Sequence, residues 1–189
     1  MKKIFFILQR VEECKYSFDR LPQNILKHCS ELYKDNKLTT SLFAYSLLDE
    51  LLNKFDRSVN EVYFSNNGKP LIENGYISIS HSDNYVSVSY SKINHGIDIE
   101  IKNKNRDINR IFRKYFKDSY LEDDSKSEKE EKFYSLWVEK EANVKLNDLN
   151  VLSTNNNVSD FKYLNIFNED ETDIYLCIVN DEECEYIRL

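Results

Sequence analysis

The segment Gly96-Ile97-Asp98-Ile99-Glu100-Ile101 constrains the fold more than any other stretch of the chain. Apolar and acidic residues alternate with a period of two. On a β-strand this places Ile97, Ile99 and Ile101 on one face and Asp98 and Glu100 on the other. The isoleucines need a hydrophobic partner. The carboxylates, with Cα atoms about 6.6 Å apart, repel one another. A hard divalent cation relieves that repulsion. Mg²⁺ suits the position because it takes one or two protein carboxylates and completes its shell with water and phosphate oxygens. The alternative is a solvated acidic face over a buried isoleucine face.

A second cluster bears on this choice. Residues 133–145, Phe133-Tyr134-Ser135-Leu136-Trp137-Val138-Glu139-Lys140-Glu141-Ala142-Asn143-Val144-Lys145, read as a helix whose apolar stripe is Phe133, Leu136, Trp137 and Val144. Glu141 and Lys145 are four apart and share a face, with Lys140 at its edge. They form either a surface ion pair, worth about 0.3–0.5 kcal/mol, or a third metal carboxylate flanked by two phosphate-binding ammonium groups.

Taken together, these motifs resemble the paired signature of the 4′-phosphopantetheinyl transferase superfamily, G-I-D-I-E followed by W-x-x-K-E-A-x-x-K. Gly68-Lys69-Pro70 and Ile77-Ser78-Ile79-Ser80-His81-Ser82 resemble two further family segments upstream. Four motifs in order make the likeness specific, and it is close over residues 60–145. The length is similar to that of the pseudo-dimeric, surfactin-synthetase-activator type.

The resemblance implies an α+β fold of two similar halves related by a pseudo-two-fold axis, residues 1–92 and 93–189. Each half would be a small antiparallel sheet packed with helices. It implies coenzyme A as substrate and an acyl or peptidyl carrier protein as partner, with phosphopantetheine moving to a carrier serine and adenosine 3′,5′-bisphosphate released. Asp98, Glu100 and Glu141 would hold Mg²⁺, which bridges phosphate oxygens and stabilises the leaving group. Lys140 and Lys145 would add positive charge to the same oxygens, and Lys69, Ser80 and His81 would contact the nucleotide part. Glu141, or a metal-bound water, would be the base. Asp98 and Lys145 complete the catalytic set. His28 and His95 carry no assigned chemistry, and Trp137 reads as a core anchor.

The chain departs from the family where coenzyme A's 3′-phosphate is expected. No arginine lies between Arg20 and Arg57, and Lys27, Lys34 and Lys37 stand there instead. An ammonium lacks the fork of guanidinium, so a looser grip on that phosphate is expected. The acid usually found after the family's R-x-F segment has only Asp118 near it, and Leu146-Asn147-Asp148-Leu149-Asn150 replaces a glycine-rich continuation.

A net charge of −7 over 189 residues argues against broad nucleic-acid binding. It leaves room for a phosphate ligand held by a metal and local lysines. A Mg²⁺ nuclease of the D…(D/E)-x-K kind needs its Glu and Lys alternating on a strand, whereas here they have helical spacing. A non-catalytic relative that binds coenzyme A or a carrier domain is the other rival. The helix expected over 106–117 carries Arg106, Arg110, Arg113, Lys114 and Lys117, a basic face suited to an acidic carrier helix.

Nothing reads as a membrane span. Residues 2–8 read as a first strand and not a signal peptide, since no small-residue cleavage site follows. Cys14, Cys29, Cys177 and Cys184 show no metal spacing, so free thiols in a reducing cytoplasm are expected, in a monomer. Further expectations are helices over 22–34, 37–55 and 131–145, and strands near 62–64 and over 76–81, 85–90 and 97–101. A charge run covers 122–132, a polar loop 147–159, and a final hairpin 161–167 with 174–179.

Overall fold

The isoleucine face of residues 97–101 is buried against the first strand of the chain. In the computed structural model, residues 1–11, 18–103, 106–116, 125–149, 160–169 and 171–189 are described. The elements run β1 (Lys3–Arg10), α1 (Gln23–Leu32), α2 (Asp35–Asn53), β2 (Tyr63–Phe64), β3 (Pro70–Leu71), β4 (Tyr76–Ser82) and β5 (Tyr85–Ser91). They continue with β6 (His95–Ile101), α3 (Ile108–Tyr115), α4 (Lys126–Leu146), β7 (Phe161–Glu169), β8 (Thr172–Asn180) and β9 (Glu185–Arg188). This is the mixed α+β architecture expected from the sequence.

One sheet has the strand order β4-β5-β1-β9 and another β6-β8-β7, with a small β2-β3 ribbon besides. The pairings are antiparallel except β1 with β9, which is parallel. The two larger sheets share a core in which Ile4, Phe6 and Leu8 of β1 meet Ile97, Ile99 and Ile101 of β6 and Ile174, Leu176 and Ile178 of β8. Burying each such side chain contributes about 1.5–3 kcal/mol. On the outer face of the first sheet, Ile25 of α1 and Phe43, Leu47, Leu48 and Leu51 of α2 cover Val86 and Val88. On the outer face of the second, Phe112 of α3 and Phe133, Tyr134, Val138 and Ala142 of α4 cover Tyr175, Cys177 and Val179.

Several boundaries differ from those expected. Helix α4 starts five residues early, at Lys126, because Ser125 and Glu128 form a capping box. The final hairpin is longer at its turn end, and β9 was not expected at all. Residues 117, 122–124 and 150–159, parts of the expected helix, charge run and polar loop, lie outside the described residues, as does Cys14. Cys29, Cys177 and Cys184 are free thiols. Among the described residues no helix is long and apolar enough to cross a membrane.

Candidate active site

Helix α4 lies directly on the acidic face of β6. Gly96 makes this approach possible. A Cβ there would fall 2.0 Å from the Ala142 carbonyl oxygen and 2.6 Å from the Leu146 backbone nitrogen, so any side chain would push helix and strand apart. The face of α4 turned to β6 carries Trp137, Glu141 and Lys145, spaced four apart. Lys145 Nζ sits 2.7 Å from Asp98 Oδ1. One turn earlier along the helix lies Glu141, and one turn before that Trp137 Nε1 donates to Glu100 Oε1 at 3.1 Å. A solvated acidic face is thereby excluded, since Asp98 is 1% exposed and Glu100 8%.

The free edge of β6 runs beside β4, and serine hydroxyls take the place of backbone pairing. The N–H groups of Ile97, Ile99 and Ile101 donate to Ser78, Ser80 and Ser82 Oγ at 3.0, 3.2 and 3.2 Å. Two of these hydroxyls also donate onward, Ser80 to Asp98 Oδ1 at 2.7 Å and Ser82 to Glu100 Oε2 at 3.0 Å. The ladder satisfies the strand's buried donors and aims its carboxylates with the same atoms. Arg106, just before α3, donates to Glu100 Oε1 at 3.2 Å. Asp98 Oδ2 is buried and has no hydrogen-bond partner among the described residues.

These side chains line one end of a cleft of about 650 Å³. Ser80 and His81 of β4, Asp98 and Glu100 of β6, and Glu141 and Lys145 of α4 all face it. Its other wall is aromatic. His28 stacks on Phe64, with ring centroids 3.7 Å apart, and Tyr45 meets Phe64 edge-on. The β2–β3 turn, residues 65–69, borders this wall; Gly68 takes a φ of 85° there. Ser65 Oγ donates to Asp148 Oδ1 at 3.1 Å and Asn67 Nδ2 to the Asp148 carbonyl at 2.8 Å, tying the turn to the end of α4.

Burial dominates the electrostatics. It pushes the Glu141 carboxyl up to about 8, reinforced by the charge on Asp98 and opposed by Lys145. Burial also raises Asp98 against the pull of Lys145 and Ser80, and raises Glu100 against that of Arg106. His81 is lowered by burial and then by Lys145, which favours its neutral form.

The structure thus gathers Asp98, Glu100, Glu141, Lys145, Ser80 and His81 around one cleft. It does not bring Lys69 or Lys140 there. Lys69 Nζ donates to the Leu146 carbonyl at 3.0 Å, and Lys140 Nζ stands 5.9 Å from the Tyr115 ring centroid. Sequence reasoning missed His28, for which no signal existed, and the polar role of Trp137, which its four-residue spacing from Glu141 could have revealed. His95 is fully buried, with its ring nitrogens 2.9 Å from the Ile93 carbonyl and 2.8 Å from Ser89 Oγ.

No curated protein matches the chain. The family model of the 4′-phosphopantetheinyl transferase superfamily matches residues 94–189, which include β6, α4 and every carboxylate of the cleft. The chain therefore belongs to the 4′-phosphopantetheinyl transferase superfamily, whose members transfer phosphopantetheine to carrier proteins.

Proposed function

We propose that this chain moves the 4′-phosphopantetheine arm of coenzyme A onto a serine hydroxyl of an acyl or peptidyl carrier protein, with Mg²⁺ required and adenosine 3′,5′-bisphosphate leaving. The observation that carries the reading is Asp98: a buried carboxylate with an ammonium on one oxygen and, among the described residues, no hydrogen-bond partner on the other, in a cleft of about 650 Å³.

The residues present fit a magnesium ion. Three carboxylates, Asp98, Glu100 and Glu141, face the cleft against the cations Lys145 and Arg106. All the donors are hard oxygens, and the orphaned Asp98 Oδ2 is a coordination position in waiting. Among the described residues no group of three acidic, His or Cys side chains is arranged to hold a metal ion by itself, so the fit rests on the chemistry of Asp98 and its neighbours. When bound, Mg²⁺ supplies charge neutralisation at the pyrophosphate.

The protein's own groups account for the rest of the step. Lys145 is the one Lys or Arg on the described cleft wall, and it offers its charge to the phosphate oxygens. Neutral His81 can donate to a phosphate oxygen. The His28–Phe64 stack offers a flat apolar surface for the adenine base. Glu141, which faces the cleft beside Asp98, would accept the serine proton. The division into pseudo-two-fold halves at residues 92/93, with the cleft between them, belongs to the same proposal. So does a monomeric state.

The test is release of adenosine 3′,5′-bisphosphate from coenzyme A in the presence of apo-carrier and Mg²⁺. We expect release with the wild-type chain and none above background with Asp98→Asn. Release by Asp98→Asn at the wild-type rate would remove the site assignment.

A further inference from the structure

We infer that Glu100 is an anchor for Arg106 and Trp137 and not a cation ligand, so that a divalent cation in this cleft rests on Asp98 and Glu141. The inference rests on the cation seat proposed above and concerns how this chain divides the work among its three carboxylates.

Both Glu100 oxygens are spoken for by groups that are themselves held. Trp137 Nε1 reaches Oε1 at 3.1 Å. The Arg106 guanidinium donates to the same oxygen from Nη2 at 3.2 Å and holds Nη1 within ion-pair distance of it, at 3.1 Å, without a hydrogen bond. Oε2 accepts from Ser82 Oγ at 3.0 Å, and Ser82 is fixed in turn by the Ile101 N–H at 3.2 Å. Arg106 is braced over the Tyr134 ring, 5.8 Å from its centroid. A guanidinium does not lose its charge, so it cannot step aside by deprotonation. A cation that claimed Oε1 would have to break these contacts and leave Arg106 without its partner, and one on Oε2 would have to share that oxygen with Ser82 beside the guanidinium charge. Asp98 is the opposite case: Oδ1 is oriented by Ser80 and Lys145, and Oδ2 has no hydrogen-bond partner among the described residues, in a side chain 2% exposed. Arg106 thus acts as a built-in counter-ion that takes one carboxylate out of the cation's reach.

The experiment is Mn²⁺ titration of the full chain, followed by calorimetry and by the electron paramagnetic resonance signal of free Mn²⁺. Asp98→Asn should weaken binding by about thirtyfold or more and Glu100→Gln by no more than about threefold. Arg106→Gln should tighten binding about fivefold by freeing Glu100 and removing a positive charge. Arg106→Lys, which keeps the charge, should not. The double variant Arg106→Gln/Glu100→Gln should lose the extra affinity contributed by the freed carboxylate. Weaker or unchanged binding in Arg106→Gln overturns the inference. Equal losses in Glu100→Gln and Asp98→Asn also overturn it while leaving the cation seat intact. If Arg106→Gln fails to fold, that last comparison decides alone. Absence of Mn²⁺ binding in the wild-type chain overturns the seat and the inference together.

Discussion

Replacing Glu141 by Gln should make the protein more stable, by an amount that grows as pH rises above about 4.5. The Glu141 carboxyl is raised from its ordinary 4.5 to about 8, first by burial and then by the charge on Asp98. A carboxyl with a higher pKa folded than unfolded binds more protons in the folded state between those two values. Stability therefore falls as pH rises through the window from about 4.5 to about 8. At about 1.4 kcal/mol per pH unit, the upper limit of the cost above pH 8 is about 5 kcal/mol. Movement of Lys145 toward Glu141 and entry of water from the open cleft reduce this to about 2 kcal/mol. The amide has nearly the same shape and does not titrate, so any packing cost it brings is a pH-independent offset. Urea unfolding in the presence of a chelator, from pH 4.5 to 9, measures the difference. Glu141→Gln should gain about 2 kcal/mol on the wild type across the range, or about 4–8 °C in melting temperature. A difference that stays flat with pH would refute the burial argument for this carboxyl.

Three other outcomes follow from the same geometry. Lys145→Ala leaves Asp98 buried without its cation, and should cost about 3 kcal/mol of stability by urea unfolding as well as abolishing transfer; a stable, active variant would deny the pair its role. Ser80→Ala leaves the Ile99 N–H unpaired and strips a donor from Asp98 Oδ1, and should cost about 1–3 kcal/mol in the same assay; no loss would mean that water replaces the hydroxyl. Since Lys145 is the one Lys or Arg on the described cleft wall, 3′-dephospho-coenzyme A should be used within about tenfold of coenzyme A in kcat/KM, or about 1.4 kcal/mol; a hundredfold preference for the 3′-phosphate would show that other lysines gather there.

The parts of this account that were legible in the sequence are those with a period. Alternation set the two faces of β6, and three- and four-residue spacing set the apolar stripe of α4 and the Glu141–Lys145 pair. The start of α4 was also legible, in the Ser125-to-Glu128 spacing, but was hidden inside a charge run. The serine ladder was not. Ser78, Ser80 and Ser82 read as half of a two-sided strand, and nothing local says that their hydroxyls meet the edge of a strand 19 residues on. Strand β9 is four residues, Glu185–Arg188, with no buried member, and it exists through its pairing to β1 at the far end of the chain. Lys69 looked like a ligand-facing turn residue. Which way a turn lysine points is decided by what lies beneath it, here the carbonyl of Leu146.

The most direct measurement is the intact mass of an apo-carrier protein after incubation with this chain, coenzyme A and Mg²⁺. Carriers of the peptide-synthetase, polyketide and fatty-acid kinds should be tried, because the cleft does not distinguish them. The account predicts that at least one gains the mass of a single phosphopantetheine on its serine, that the Ser→Ala carrier does not, and that Asp98→Asn of this chain gives no gain. Carriers that all keep their apo mass at stoichiometric amounts of the folded wild-type chain would contradict it.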